Sequence, residues 1–172
     1  VADRVTFGDR EALLVLANDV TGRVRSEAEL REAHGAMETL VDASPIAIVT
    51  LDVVGTVRSW NPAAERIFGW TAAEVVGRPD PIVPDEQRAE YRRRLAEHAR
   101  TGRGVSDMEA WRVRKDGTRV DVALSSAPMR HPDGTISGSV VLLSDITARK
   151  RAEAALEEAR RQTELLLASA GE

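Results

Sequence analysis

Trp60-Asn61-Pro62-Ala63-Ala64-Glu65-Arg66-Ile67-Phe68-Gly69-Trp70 is the stretch that decides the fold. Asn is a strong helix cap, and Pro, with its fixed φ, suits the first helical position. Ala63, Ala64, Ile67 and Phe68 follow helical spacing, and Gly69 supplies the stop. A short helix over 62–68 is therefore predicted, entered directly from a strand. That strand, 56–60, and the apolar run 46–51 flank Asp52-Val53-Val54-Gly55, which reads as a β-hairpin. Pro45 ends whatever helix precedes them.

Beyond Gly69, Thr71-Ala72-Ala73-Glu74 has the capping-box pattern and predicts a single-turn helix closed by Gly77. A Pro-rich loop covers 78–84. A longer helix over 85–100 is expected, with Tyr91 and Leu95 inward and the Tyr91 hydroxyl at the surface, ended by Gly102 and Gly104. Strands are predicted at 105–115, 118–128 and 138–146. Lys115-Asp116-Gly117-Thr118 is a hairpin signal because Asp-Gly supplies positive φ, and His131-Pro132-Asp133-Gly134 marks a second turn. Short helices in the middle of an antiparallel meander indicate an α+β fold with one five-stranded sheet.

The two ends of the chain repeat one another. Residues 19–41 align without gaps on 145–167, with 11 of 23 positions identical. Each copy reads as apolar strand, Asp-[Val/Ile]-Thr, then charged helix. The apolar positions are Leu30, Ala33, Met37 and Leu40 in the first helix, and the matching positions in the second are Leu156, Ala159, Thr163 and Leu166, where Thr163 weakens the pattern. That 3-4-3 spacing is a heptad seam, equally compatible with an amphipathic helix lying on its own domain. The organisation expected is a strand hairpin over 1–20, a linker helix over 21–44, a complete domain over 45–147 and an exit helix over 148–172. The apolar run Leu13–Leu16 predicts that the hairpin covers another chain or docks on the complete domain.

Composition narrows the chemistry. The 172 residues can bury a core unaided. A net charge of −4 does not favour nucleic acid as a partner. No apolar run reaches the roughly 20 residues that span a bilayer, and the opening residues lack a signal-peptide pattern, so the expected compartment is the cytoplasm. There is no cysteine, which excludes disulfides, thiolate metal sites and cysteine nucleophiles. The three His residues show no close pairing, and no metal site is expected. No catalytic motif is present, and the chain is not expected to be an enzyme.

The segment 60–70, with Glu74-Val75-Val76-Gly77, Arg114-Lys115-Asp116-Gly117-Thr118 and the closing Ser144-Asp145-Ile146-Thr147-Ala148-Arg149-Lys150, resembles the PAS domain family. The resemblance covers about 40–150, and the terminal repeat extends it to the first 20 residues. It implies a five-stranded sheet with a small cleft under the middle helices. It also implies a sensory and dimerisation role in a multidomain, bacterial-type signalling protein with a kinase, cyclase or similar output. Partners implied are a second copy, through the linker helices and the sheet, and a covalently linked output domain.

Covalent flavin chemistry of this family needs a cysteine and is excluded. The stimulus and cofactor are left unassigned, with no cofactor at all among the options. Non-covalent flavin would call on Trp60, Asn61 and Trp111. Haem would call on Tyr91, at the position of the family's proximal ligand, or on His98, whose neighbours Glu97 and Arg100 suggest a wet face. The cleft residues expected are Thr50, Trp60, Asn61, Tyr91, Trp111, Arg112 and Ser125. Ser125 and Ser126 face opposite sides of a strand, so only one enters a cleft. Asp145, Ile146 and Thr147 are expected to relay a signal to the exit helix, Asp145 by holding backbone amides and Thr147 by capping. Plain local capping is the alternative.

Overall fold

The computed structural model of the chain describes residues 2–7, 10–15 and 21–169, with side chains for residue 23 and residues 25–165. It divides into two units, 1–40 and 41–172. In the first, β1 (Ala2–Phe7) and β2 (Arg10–Val15) form an antiparallel hairpin with Ala2 opposite Val15. Of the span 1–20 expected as a strand hairpin, residues 16–20 lie outside those described. The helix α1 (Thr21–Ala43) runs from this unit into the next.

The second unit holds β3 (Ala47–Asp52), β4 (Val57–Trp60), α2 (Pro62–Phe68), α3 (Ala72–Val75), a 3-10 turn at Asp85–Gln87, α4 (Arg88–Thr101), β5 (Met108–Val113), β6 (Arg119–Arg130), β7 (Ile136–Asp145) and α5 (Thr147–Ser169). The sheet is five-stranded, in the order β4-β3-β7-β6-β5, and every pairing is antiparallel. This is the α+β architecture read from the sequence.

Local chemistry explains most element ends. Asn61 Oδ1 accepts the Ala64 N–H at the head of α2, and Gly69 closes that helix at φ 76°. Glu74 Oε2 accepts both the N–H and the hydroxyl of Thr71 at the head of α3. One strand is shorter than expected. β5 begins at Met108 because Asp107 turns at φ 50° and two serine hydroxyls interrupt the ladder: the Val105 N–H goes to Ser126 Oγ and the Asp107 N–H to Ser125 Oγ.

One sheet face carries the core. Ala47, Val49 and Leu51 of β3 are buried in alternation, as are Val120, Val122 and Leu124 of β6. α2 lays Ala64 and Phe68 against them, with the Phe68 and Trp60 rings 5.7 Å apart.

Candidate functional site

The same sheet face continues past the core into a cavity of about 390 Å³, a size suited to a small molecule. One wall is apolar: Val49, Leu51, Leu124, Val141 and Leu143. The other is built by α4 and the segment before it, through Asp80, Ile82, Tyr91, Leu95 and His98. Arg112 and Ser126 close it from β5 and β6.

The polar groups of this wall are tightly arranged. Asp80 is buried; its Oδ1 accepts the Ile82 N–H at 3.2 Å and its Oδ2 the Tyr91 hydroxyl at 3.4 Å. Burial pushes the Asp80 carboxyl above the usual carboxylate range, outweighing those bonds and the nearby Arg112 charge. Burial, then the Asp80 charge, pushes the Tyr91 hydroxyl up. Arg112 is only 7% exposed, and burial lowers its guanidinium more than Asp80 and Tyr91 raise it.

Two of the expected cleft residues, Tyr91 and Arg112, line the cavity. The rest do not. Thr50 lies between the inward Val49 and Leu51 and bonds Ser59 Oγ at 2.7 Å. Trp60 belongs to the core, its indole N–H donating to the Trp70 carbonyl. Asn61 is spent on backbone groups of Val41, Ile46, Ile48 and Ala64. Trp111 precedes the inward Arg112 and carries Arg119 over its ring at 5.0 Å. Ser125 is out of phase, and Ser126 takes its place.

Two expected local environments also need correcting. The Tyr91 hydroxyl points inward to Asp80 instead of reaching the surface. His98 is half-buried: its Nδ1 lies 2.9 Å from the Arg103 carbonyl, and its Nε2 is sealed from solvent without a partner. These positions bear on cofactors. Tyr91 is committed to Asp80 and His98 Nε2 is enclosed, so neither is presented as a haem ligand. The aromatic and amide groups a flavin would call on, Trp60, Asn61 and Trp111, do not line the cavity. Among the described residues, no group of three or more His, Asp or Glu side chains could hold a metal ion, and no helix is long and apolar enough to cross a membrane.

The end of β7 forms a second cluster. Asp145 Oδ1 accepts the Thr147 N–H and Oδ2 accepts from Arg114, both at 2.8 Å. Burial works to raise the Asp145 carboxyl, but these bonds hold it below the usual range. Ile146 is buried, and its N–H donates to the Asp121 carbonyl at 2.9 Å. Thr147 does not cap its own helix. Its hydroxyl accepts the Asp121 N–H at 3.1 Å, pinning the start of α5 to β6. A group the sequence reading passed over completes the joint: Glu109 of β5 meets Arg149 at 2.9 Å and Lys150 at 2.7 Å. Bonds from Lys150 and then Arg149 hold the Glu109 carboxyl low.

The expected seam residues are exposed: Leu30 and Leu40 on α1 and Leu156 on α5 are each more than 70% accessible, and Ala33, Met37 and Ala159 are exposed as well. The Leu166 side chain lies outside those described.

An antiparallel sheet, a small-molecule-sized cavity under one helix and a second helix leaving the last strand define a cavity-bearing α+β domain with a helical exit. The family model described as PAS fold matches residues 35–146, and the chain belongs to that family. It is 26% identical over 132 residues to the signal transduction histidine-protein kinase AtoS of Escherichia coli K12, covering 77% of this chain and 21% of that protein. It is 33% identical over 169 residues to two-component system protein A of Emericella nidulans, covering 91% of this chain and 24% of that protein. The chain therefore spans less than a quarter of the length of either relative. The crystal structure of a PAS domain from Colwellia psychrerythraea superposes with a TM-score of 0.62 at 18% identity, over 67% of this chain and 98% of that one.

Proposed function

We propose that the chain is a sensory and dimerisation module of a multidomain cytoplasmic signalling protein, and not itself an enzyme. A small organic molecule in the cavity is read by β5 and β7 and reported by α5 to an output domain. One observation carries this reading: β5 serves both places. Arg112 faces the cavity from that strand, while Glu109, three residues earlier on the other face, grips the first turn of α5. A shift of β5 thus moves both ends of the relay. Asp145 and Thr147 act as fixed joints to β7 and β6, so that strand motion becomes rotation of α5. The exposed apolar residues of α1 and α5 support pairing with a second copy, since large surface-exposed apolar stripes mark interaction sites. The curated relatives, named as a histidine kinase and a two-component protein, support an output of that type.

Fusion of α5 to a histidine-kinase core tests the reading. Asp145→Ala removes the hydrogen bond accepted from the Thr147 N–H and a partly exposed ion pair with Arg114, a loss of about 1 kcal/mol. It is expected to change autophosphorylation severalfold while melting moves by only a few degrees. An unchanged rate, or a change that merely follows loss of folded protein, contradicts it.

A further inference from the structure

We infer that the cavity takes a carboxylate ligand with an aliphatic body, its carboxylate held by Arg112. This rests on the sensory reading above and adds the chemical class of what is sensed. The inference starts from an imbalance. Arg112 is a buried cation, and burying a guanidinium is costly unless it meets an anion. Its two bonds, to Gln87 Oε1 at 3.3 Å and the Trp111 carbonyl at 2.8 Å, both use Nη1 and both go to neutral acceptors. Its Nε and Nη2 have no partner among the described residues, and neither is among the atoms sealed from solvent. They are unbonded donors on a residue that lines the cavity.

The acids around the cavity are already engaged. Glu90 is held by Arg93 and Arg94 at 2.8 and 3.0 Å, and Glu97 by Arg100 at 3.1 Å. Asp80 is taken by the Ile82 amide and the Tyr91 hydroxyl, forms no ion pair with Arg112, and is biased by burial toward its neutral form. An amine would find these acids already bonded, Glu90 and Glu97 to arginines and Asp80 to an amide and a hydroxyl. A carboxylate would find a planar fork of donors, the group that matches it best. Arg103 also lines the cavity and has no acidic partner among the described residues, adding positive charge on the α4 side. The facing sheet wall of Val49, Leu51, Leu124, Val141 and Leu143 is apolar, with only the Ser126 and Ser139 hydroxyls beside it, and suits a hydrocarbon chain.

Calorimetric titration of the 172-residue chain with octanoate, octanol and octylamine separates the possibilities, because the three share one aliphatic body. Octanoate is expected to bind roughly tenfold or more tightly than either of the others. Arg112→Gln is expected to abolish the preference, and Arg112→Lys, which keeps the charge without the fork, to retain part of it. Octanol or octylamine binding as tightly as octanoate overturns the carboxylate assignment and leaves the cavity reading standing. Binding by none of the three overturns both. A preference for octanoate that survives in a folded Arg112→Gln chain overturns the role of Arg112. Should that variant not fold, the three-probe comparison on the unaltered chain, together with Arg112→Lys, decides the matter.

Discussion

Gly138→Ala is expected to destabilise the domain by about 3 kcal/mol, a fall in melting temperature of roughly 10 °C. Gly138 lies near the start of β7, opposite Asp52 of β3 on one side and Met129 of β6 on the other. A Cβ built there would stand 2.1 Å from the Leu51 carbonyl oxygen and 3.1 Å from its carbon. Both atoms are backbone, inside the pairing of β3 with β7, so no side chain can rotate to relieve the contact. The strands must separate locally, and the buried Leu51 and Ser139 lose their packing. Gly117→Ala is the control: it is also glycine, but nothing lies within 4 Å of its added methyl, and only its positive φ of 84° is strained. Urea unfolding followed by circular dichroism measures both. A Gly138→Ala midpoint no lower than that of Gly117→Ala contradicts the close-approach account.

The second large effect is expected at Asn61, where Asn61→Ala should cost about 3 kcal/mol. The side chain is 4% exposed and uses both ends twice. Oδ1 accepts the Ile48 and Ala64 N–H groups at 2.9 and 3.0 Å; Nδ2 donates to the Val41 and Ile46 carbonyls, both at 3.0 Å. One amide therefore ties the end of α1, the start of β3 and the head of α2 together. Truncation takes the acceptor from the Ile48 and Ala64 N–H groups, while the Val41 and Ile46 carbonyls keep only the Ser44 N–H and hydroxyl. Asn61→Asp distinguishes this from simple capping. Aspartate caps α2 as well as asparagine does, yet it turns an acceptor toward two carbonyl oxygens. It is therefore expected to rescue little. Near-complete recovery of stability in Asn61→Asp would show that only the cap mattered.

These two positions mark how far the sequence could be read. The helix capped at Asn61 and closed at Gly69, the Asp116-Gly117 turn and the five strands are local signals, and each is found where its residues put it, except that β5 starts only at Met108. The second task of Asn61, reaching Val41 and Ile46, depends on which segments the fold brings together and carries no local mark. Part of the cavity was legible and was misread. Val120, Val122 and Leu124 set the inward phase of β6, and that phase selects Ser126 over Ser125. The same rule applied to Ala47, Val49 and Leu51 turns Thr50 outward. Asp80 and His98 were different: one sits in a Pro-rich loop without periodicity, the other on a helix whose composition is mostly charged. Glu109 looks like any charged residue on a strand until α5 folds back beside it. The Thr147 hydroxyl had a local reading, the cap, and lost it to an amide 26 residues away.

The relay from cavity to exit helix is tested most directly by hydrogen exchange in the first two turns of α5, residues 149–154, in the Arg112→Gln chain. Arg112 forms no hydrogen bond or ion pair with α5; its partners are Gln87 and Trp111. A relay through β5 predicts that exchange at 149–154 nevertheless changes severalfold, with the far side of the sheet at β4 unaltered. Exchange at 149–154 identical to that of the unaltered chain, with changes confined to α4 and β5, would show that the cavity and the exit helix are not coupled.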